Sequence, residues 1–500
     1  MKKILSLLII LLITASSFPQ VDTTVSLAFK NNRRYNPSSI DFKPPTDLEQ
    51  LYDSFLLTKQ ANTGDYYAMH ELGVRYLIGS GFPADTNKSF FWINKAALGG
   101  IAIAQYNLGI FYNNGWGTQW NPFKAFDNFL RAAENNFPDA QFAVGIVYSE
   151  DLLVKRDLKS SYFWMKKAAL NGVKNAKKIL EEFELKGLKS EQDAEEFSEE
   201  NLRGNSNNLF QLMYIDFSVS DSQYVVKDSI IIHEALRTQD SVKLKPVSDN
   251  TAANSLFIDS LFVYKMEIEA EFGSPEALNY LGKLYENGIF YKKDLIKAAV
   301  CYIRAFRLDS IIGHRLLMNL LASKNFYTVL KSNALSGDTD SKFVWSFLIL
   351  NSLDNQLINS DAVKMLYENA EMNHIPSIIE LGTVLYRGTG VKQEREKGIS
   401  FWKKGEELGN DEAKVRLLLN GILNLEYNTE DFTWIIQYLQ NSVKNNSVLG
   451  TVVLGLCYER GLGVESSFAM ASENYRLAAI RGSVAGYESL KRLYESVRPN

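Results

Sequence analysis

The sequence predicts an all-α protein, a stack of helix–turn–helix repeats about 36 residues long. Three observations predict it: stretches that recur at constant spacing, apolar positions four apart within each stretch, and glycines where each helix would have to stop. A hydrophobic fraction of 46% supplies enough apolar surface to rule out disorder as the reading for most of the 500 residues. A repeat array also accommodates that length without several separate cores, because it grows by stacking.

The chain starts with a separate signal. Lys2 and Lys3 precede an apolar run, Ile4-Leu5, Ser6 and then Leu7 to Ile13, and the small residues Thr14, Ala15, Ser16 and Ser17 follow. A basic start, a short apolar stretch and small residues are the features of a secretory signal peptide, here residues 1–17. Ala15 and Ser17 would stand three and one residues before a cut after Ser17. The apolar run is too short to span the roughly 30 Å of hydrocarbon in a bilayer, so no transmembrane anchor is expected after cleavage. No cysteine follows the run to take a lipid. The expectation is an exported protein, periplasmic or secreted. A net charge of −4 gives no basic field to hold a polyphosphate backbone, so nucleic acid is not an expected partner.

The repeat is clearest in three stretches that start at Ala68, Ala104 and Ala140, each 36 residues after the last. Leu72, Leu108 and Val144 share one slot, Gly73, Gly109 and Gly145 the next, and Tyr76, Tyr112 and Tyr148 another. Ala96-Ala97, Ala132-Ala133 and Ala168-Ala169 complete the pattern. Ala68, Leu72 and Tyr76 recur every four residues and so form one stripe of a first helix. Gly73 on that helix would let a neighbouring helix approach closely, and Gly79 and Gly81 would end it, since glycine accepts the left-handed conformation. Lys88, Trp92 and Ala96 mark a second helix, closed by Gly100. The pattern returns from Ala277, Ser377 and Gly450, with looser copies near 341–373 and 413–446. Leu51 to Gly64 resembles a lone second helix and Gly486 to Val497 a lone first helix, as expected of caps.

These slots, A-x-x-x-L-G-x-x-Y-x-x-G-x-G followed by K-A-x-x-W-x-x-K-A-A-x-x-G, resemble the Sel-one-like repeat family, a relative of tetratricopeptide repeats. The resemblance covers most of residues 47–498. It departs at Cys301-Tyr302 and Phe306, and the loop after Tyr148 lacks the paired glycines. It implies a right-handed α-solenoid that acts as an adaptor for partner proteins, and several bacterial relatives act in the cell envelope.

Between Ala176 and Ala277 the pattern is lost, which divides the chain into an N-terminal array (47–187), an insertion or linker (188–262) and a C-terminal array (263–498). A lysine-rich stretch from Lys155 to Lys178 gives way to an acidic one from Glu181 to Glu200, read as a solvated terminal helix rather than a docking surface. Within 209–232, Ile215, Phe217 and Val219 alternate with polar residues before Tyr224-Val225-Val226 and Ile230-Ile231-Ile232. That period of two suggests a small β-hairpin, with irregular helix as the alternative.

Little in the sequence points to catalysis. The glycine pairs Gly79/Gly81, Gly115/Gly117, Gly388/Gly390 and Gly461/Gly463 follow helices, whereas a dinucleotide fingerprint follows a strand, so they read as turns. His70, His233, His314 and His374 show no metal-ligand spacing, so no metal or cofactor is expected. His233-Glu234 could form a base and helper, but no nucleophile stands near it in sequence. Trp92, Trp164 and Trp402 could stack on sugar rings, yet their slot suits core packing better. Cys301 and Cys457 fall at helical positions and read as two separate core thiols.

In repeats of this shape the first helices line the concave face. That places His70, Tyr106, Phe142 and Asn279 in one groove-facing row, with Asn113 and Glu286 in a parallel row, as candidate partner-binding residues. The function expected is an exported protein–protein interaction scaffold, with an envelope protein among the candidate partners and no catalytic residues. The alternative is an envelope enzyme or glycan-binding protein with its site in residues 205–262.

Overall fold

The computed structural model describes residues 48–188 and 260–499, apart from positions 151, 186, 324 and 355. These residues fall into two compact units, one holding 48–188 and the other 260–499. The described elements are twenty-two α-helices. Residues 209–232, where the sequence suggests a hairpin, and the alternative site at 205–262 up to Asp259 lie outside the described residues.

The N-terminal unit holds α1 (Leu48–Asn62), α2 (Tyr66–Ile78), α3 (Thr86–Leu98), α4 (Ala102–Asn114), α5 (Pro122–Glu134), α6 (Pro138–Glu150), α7 (Leu158–Leu170) and α8 (Lys174–Leu185). Each helix packs on the next in chain order. Polar caps fix where the helices begin. Asp65, Asp85, Asn121 and Asp157 each accept amide bonds from the first turn of the following helix, a contribution of about 1 kcal/mol apiece. Gly79 and Gly115 end α2 and α4 in the left-handed conformation (φ 70° and 66°), as the sequence predicts.

The glycine of the first helix is required by a close approach. A β-carbon on Gly109 would lie 2.6 Å from Phe129 Cδ1 and 3.0 Å from the Ala125 carbonyl oxygen. The same offset of twenty residues sets Gly73 on Ile93, Gly145 on Met165, Gly282 on Tyr302, Gly382 on Trp402 and Gly455 on Tyr475. The two helices of every such repeat therefore cross at the glycine, with the bulky residue of the second helix lying over it. Serine reinforces two of these crossings. Ser89 donates to the Gly73 carbonyl at 2.6 Å and Ser161 to the Gly145 carbonyl at 2.7 Å. A further hydrogen bond recurs within each of two repeats. Asn135 donates to Gln105 at 3.0 Å, and Asn171, one repeat later, to Gln141 at 2.8 Å.

The C-terminal unit runs through α9 (Ser260–Glu271), α10 (Pro275–Asn287), α11 (Leu295–Arg307), α12 (Ile311–Leu321), α13 (Phe326–Leu335), α14 (Thr339–Leu350), α15 (Asn359–Glu371) and α16 (Ile375–Arg387). It continues through α17 (Arg395–Glu407), α18 (Asp411–Leu423), α19 (Asp431–Lys444), α20 (Val448–Arg460), α21 (Phe468–Ile480) and α22 (Val484–Val497). One apolar core runs from α11 to α16 through Tyr302, Leu317, Phe343, Phe347 and Leu381, and another joins α18, α19 and α20 through Val415, Ile435 and Val453. The α12–α13 pair has no counterpart among the repeats read from the sequence. Its helices are 11 and 10 residues long, too short to carry the repeat's full slot pattern.

Candidate partner-binding surface

Packing consumes the expected groove-facing row. His70, Tyr106, Phe142 and Asn279 are all buried, between 0 and 4% exposed. Each first helix packs between the second helix of the preceding repeat and that of its own, so the positions between the core stripes also fall against protein. His70 Nε2 meets Asn107 Nδ2 at 2.8 Å, and burial pushes its pKa down to about 4. The Tyr106 ring packs between Phe129 and Phe137, with centroids 5.3 and 5.1 Å away. Asn279 donates to Ser310 Oγ at 3.1 Å. None of these four is presented to a partner. The parallel row remains half-open to solvent at Asn113 and Glu286, but Glu286 already accepts from Tyr302 at 2.6 Å and pairs with Lys283 at 3.1 Å.

One cluster has the composition of a hydrolase site. His374 Nδ1 lies 2.8 Å from Ser377 Oγ, and its Nε2 lies 3.0 Å from Asp340 Oδ1. Ser377 is fully buried and also accepts from Asn369 at 3.0 Å. A nucleophile must reach a substrate carbonyl, and this hydroxyl is sealed between two repeats. His374 is the residue just before α16, so the trio ties the start of α16 to α14 and α15. Among the described residues, no three of His, Cys, Asp and Glu are grouped to hold a metal ion. Cys301 and Cys457 are free thiols, both pushed up to about 12 by burial. Trp164 and Trp402 are buried in the repeat cores, as their slot predicts.

The C-terminal unit holds buried ion pairs that the sequence did not reveal. Arg307 binds Glu380 with both Nε and Nη2, Arg416 pairs with Glu412 at 2.8 Å, and Arg304 donates to the Ala270 carbonyl at 2.8 Å. Glu380 and Glu412 are 3 and 4% exposed, so these charges survive only because guanidinium groups face them. The signal available was a glutamate inside an otherwise apolar first helix, Ile378-Ile379-Glu380-Leu381. Its partner stands 73 residues away, beyond the reach of any local pattern.

The outer face of the N-terminal unit is different in kind. Phe91 and Leu98 on α3 are 49 and 76% exposed, and Leu170 on α7 is 79% exposed. Leu98 and Leu170 occupy one slot two repeats apart, as do Phe91 and Phe163. Lys95 lies 4.4 and 5.1 Å from the ring centres of Phe91 and Trp92, and Lys167 lies 4.5 and 5.0 Å from Phe163 and Trp164. The intervening helix α5 carries Asp127 and Glu134 at the Phe91 and Leu98 positions. Arg131 fills the lysine slot between them, so a mixed-charge strip lies between two helices that carry the aromatic–lysine–leucine pattern.

Six segments of this geometry, 67–101, 102–137, 138–173, 275–310, 375–410 and 452–483, match the family model described as the Sel1 repeat. The chain carries six Sel1 repeats. Each matched segment spans one first helix and the second helix that crosses it at the glycine. The helix pairs α12–α13, α14–α15 and α18–α19 continue the stacking between the matched Sel1 repeats. Among curated proteins, the chain is 31% identical over 101 residues to DAP3-binding cell death enhancer 1 of Mus musculus and 29% identical over 101 residues to the Rattus norvegicus protein of that name. Each match covers 20% of this chain and 19% of the relative, so the chain spans about a fifth of the length of the curated relatives it matches. Among solved structures, it is similar to a protective antigen of uropathogenic Escherichia coli strains with an SLR fold, at 19% identity over 85% of this chain and 79% of that one (TM-score 0.29). A Sel1 repeat protein from Oxalobacter formigenes is 35% identical over 26% of this chain and 98% of that chain (TM-score 0.25). No helix among the described residues is long and apolar enough to cross a membrane.

Proposed function

We propose that the chain is an exported protein-interaction scaffold whose N-terminal Sel1 repeats hold a protein partner on their outer face. Sel1-repeat proteins generally mediate protein–protein interaction, and both rodent relatives bear a name that describes them as DAP3-binding. The observation that carries the reading is the exposed Phe91 and Leu98 on α3 and the exposed Leu170 on α7. Leu98 and Leu170 stand in solvent at equivalent slots, each on a helix whose lysine lies over an aromatic ring, and that combination suits a contact surface. The buried groove-facing row cannot serve that role. Export rests on the basic-apolar-small pattern of residues 1–17.

The test is capture from envelope and culture-fluid fractions, comparing the native chain with a Phe91→Ser, Leu98→Ser, Leu170→Ser variant. These positions are exposed, so helix content and stability should hold within about 0.5 kcal/mol. The native chain should retain a protein that the folded variant loses. Equal capture by both would remove the outer face from the account. Export is checked separately by the N-terminal sequence of the mature chain, expected to begin at Phe18. A chain that keeps Met1 in the cytoplasm would refute it.

A further inference from the structure

The C-terminal unit touches itself end to end. A stack of repeats ordinarily contacts only its neighbours, yet the turn between α21 and α22 reaches the start of α10, more than 200 residues earlier in the chain. Arg481 Nε donates to Glu276 Oε1 at 2.9 Å, and its Nη2 donates to Glu276 Oε2 at 2.6 Å and to the Asn446 carbonyl at 2.7 Å. The amide of Val484 donates to the Asp309 carboxylate at 3.0 Å, and Gly482 lies so close that a β-carbon would stand 2.7 Å from the Asp309 carbonyl oxygen. Beside it, the Val448 amide donates to the Gly273 carbonyl at 3.4 Å, and Leu449 packs against the cluster containing Val263 and Leu278.

This seam differs chemically from the seams between successive repeats, which are apolar. It is made of the Arg481 guanidinium, the Glu269, Glu276 and Asp309 carboxylates, the Ser274 hydroxyl and backbone groups, with Leu449 packed beside them. Val484, at its edge, is 59% exposed. Burial acts to raise the Glu276 carboxyl, but the Arg481 charge and hydrogen bonds outweigh it and hold that carboxyl below its ordinary range. A seam joined mainly through polar groups opens at a lower free energy than the apolar core beside it.

We propose that this seam is a latch: the C-terminal unit alternates between the closed form, with Arg481 on Glu276 and Asp309 on the Val484 amide, and an open form in which these contacts are parted. The inference stands independently of the outer-face reading of the N-terminal repeats.

Hydrogen exchange of the full chain tests it. The Val448 and Val484 amides, whose bonds cross the seam, should exchange at least tenfold faster than amides inside α16. Arg481→Glu, which sets two carboxylates face to face, should speed both a further tenfold or more and enlarge the radius of gyration, with α14–α17 unchanged within twofold. The exchanged pair Glu276→Arg with Arg481→Glu should restore slow exchange. Asp309→Gly is the second variant: Asp309 has φ 64°, which glycine adopts freely, so the fold is kept while the acceptor of Val484 is lost. It should speed the Val484 amide alone among these. The latch is overturned if the seam amides exchange with the core in the native chain, or if either variant accelerates seam and core amides together. Unchanged seam exchange in both variants would also overturn it.

Discussion

Acidification should weaken the N-terminal unit through His70. The ring is 4% exposed, and Asn107 Nδ2 lies 2.8 Å from its Nε2, an arrangement that suits the neutral ring with Nε2 as the acceptor. Burial lowers its pKa from 6.5 to about 4. Between those values the unfolded chain takes up a proton that the folded chain refuses, so stability is full above pH 6.5 and falls as the pH drops toward 4. At about 1.36 kcal/mol per unit, the gap amounts to a loss of about 3 kcal/mol once the pH is below 4, with most of it lost by pH 4.5. Asp139 works in the opposite sense, since burial raises its carboxyl and the folded state then protonates first. The comparison that isolates His70 is therefore native chain against His70→Gln, which can still meet Asn107 but does not titrate. Denaturant unfolding read by hydrogen exchange of α2–α7 at pH 7 and pH 4.5 gives both stabilities. The native chain should lose about 2.5 kcal/mol more than the variant across that interval. A difference within about 0.5 kcal/mol would mean that the folded His70 accepts its proton normally, and the burial argument would fail.

Other substitutions probe the packing register and the buried groups. Gly109→Ala should cost a net 1–2 kcal/mol or so, overpacking against Phe129 exceeding the gain in helix propensity. Adding Phe129→Leu should recover part of that cost in a double-mutant cycle, and additive effects would deny the crossing contact. Tyr302→Phe removes the bond to Glu286 and should destabilise the C-terminal unit by about 1.5–3 kcal/mol in denaturant titration, a loss that a neutral result would contradict. In the native chain, Cys457 should resist a thiol reagent at pH 8 and Cys301 should react slowly, with both reacting fast in denaturant. Rapid reaction of Cys457 in the folded chain would contradict its burial.

The repeat was legible because its slots are local. A glycine and the residue that covers it lie twenty positions apart, and both recur in register, so the spacing of Gly73, Gly109 and Gly145 is enough to mark the helix crossings. The left-handed ends at Gly79 and Gly115 were readable for the same reason. The groove-facing row was not, because burial depends on how the turns and second helices fold over the first helix. Tyr106 is covered by Phe129 and by Phe137, the latter in the turn before the following repeat. The Arg307–Glu380 pair and the Arg481 seam join residues 73 and 205 positions apart. No period in the sequence connects such pairs. The short α12–α13 pair escaped because a helix of 10 or 11 residues holds too few slots to show the motif.

The central claim, that this chain works by holding a protein partner on its N-terminal repeats, is tested most directly by crosslinking the mature chain in its own compartment and mapping the linked residues by mass spectrometry. The account predicts one dominant partner protein, linked through Lys95 and Lys167 beside the exposed patches. Links confined to residues 205–262, or none to any protein, would contradict it.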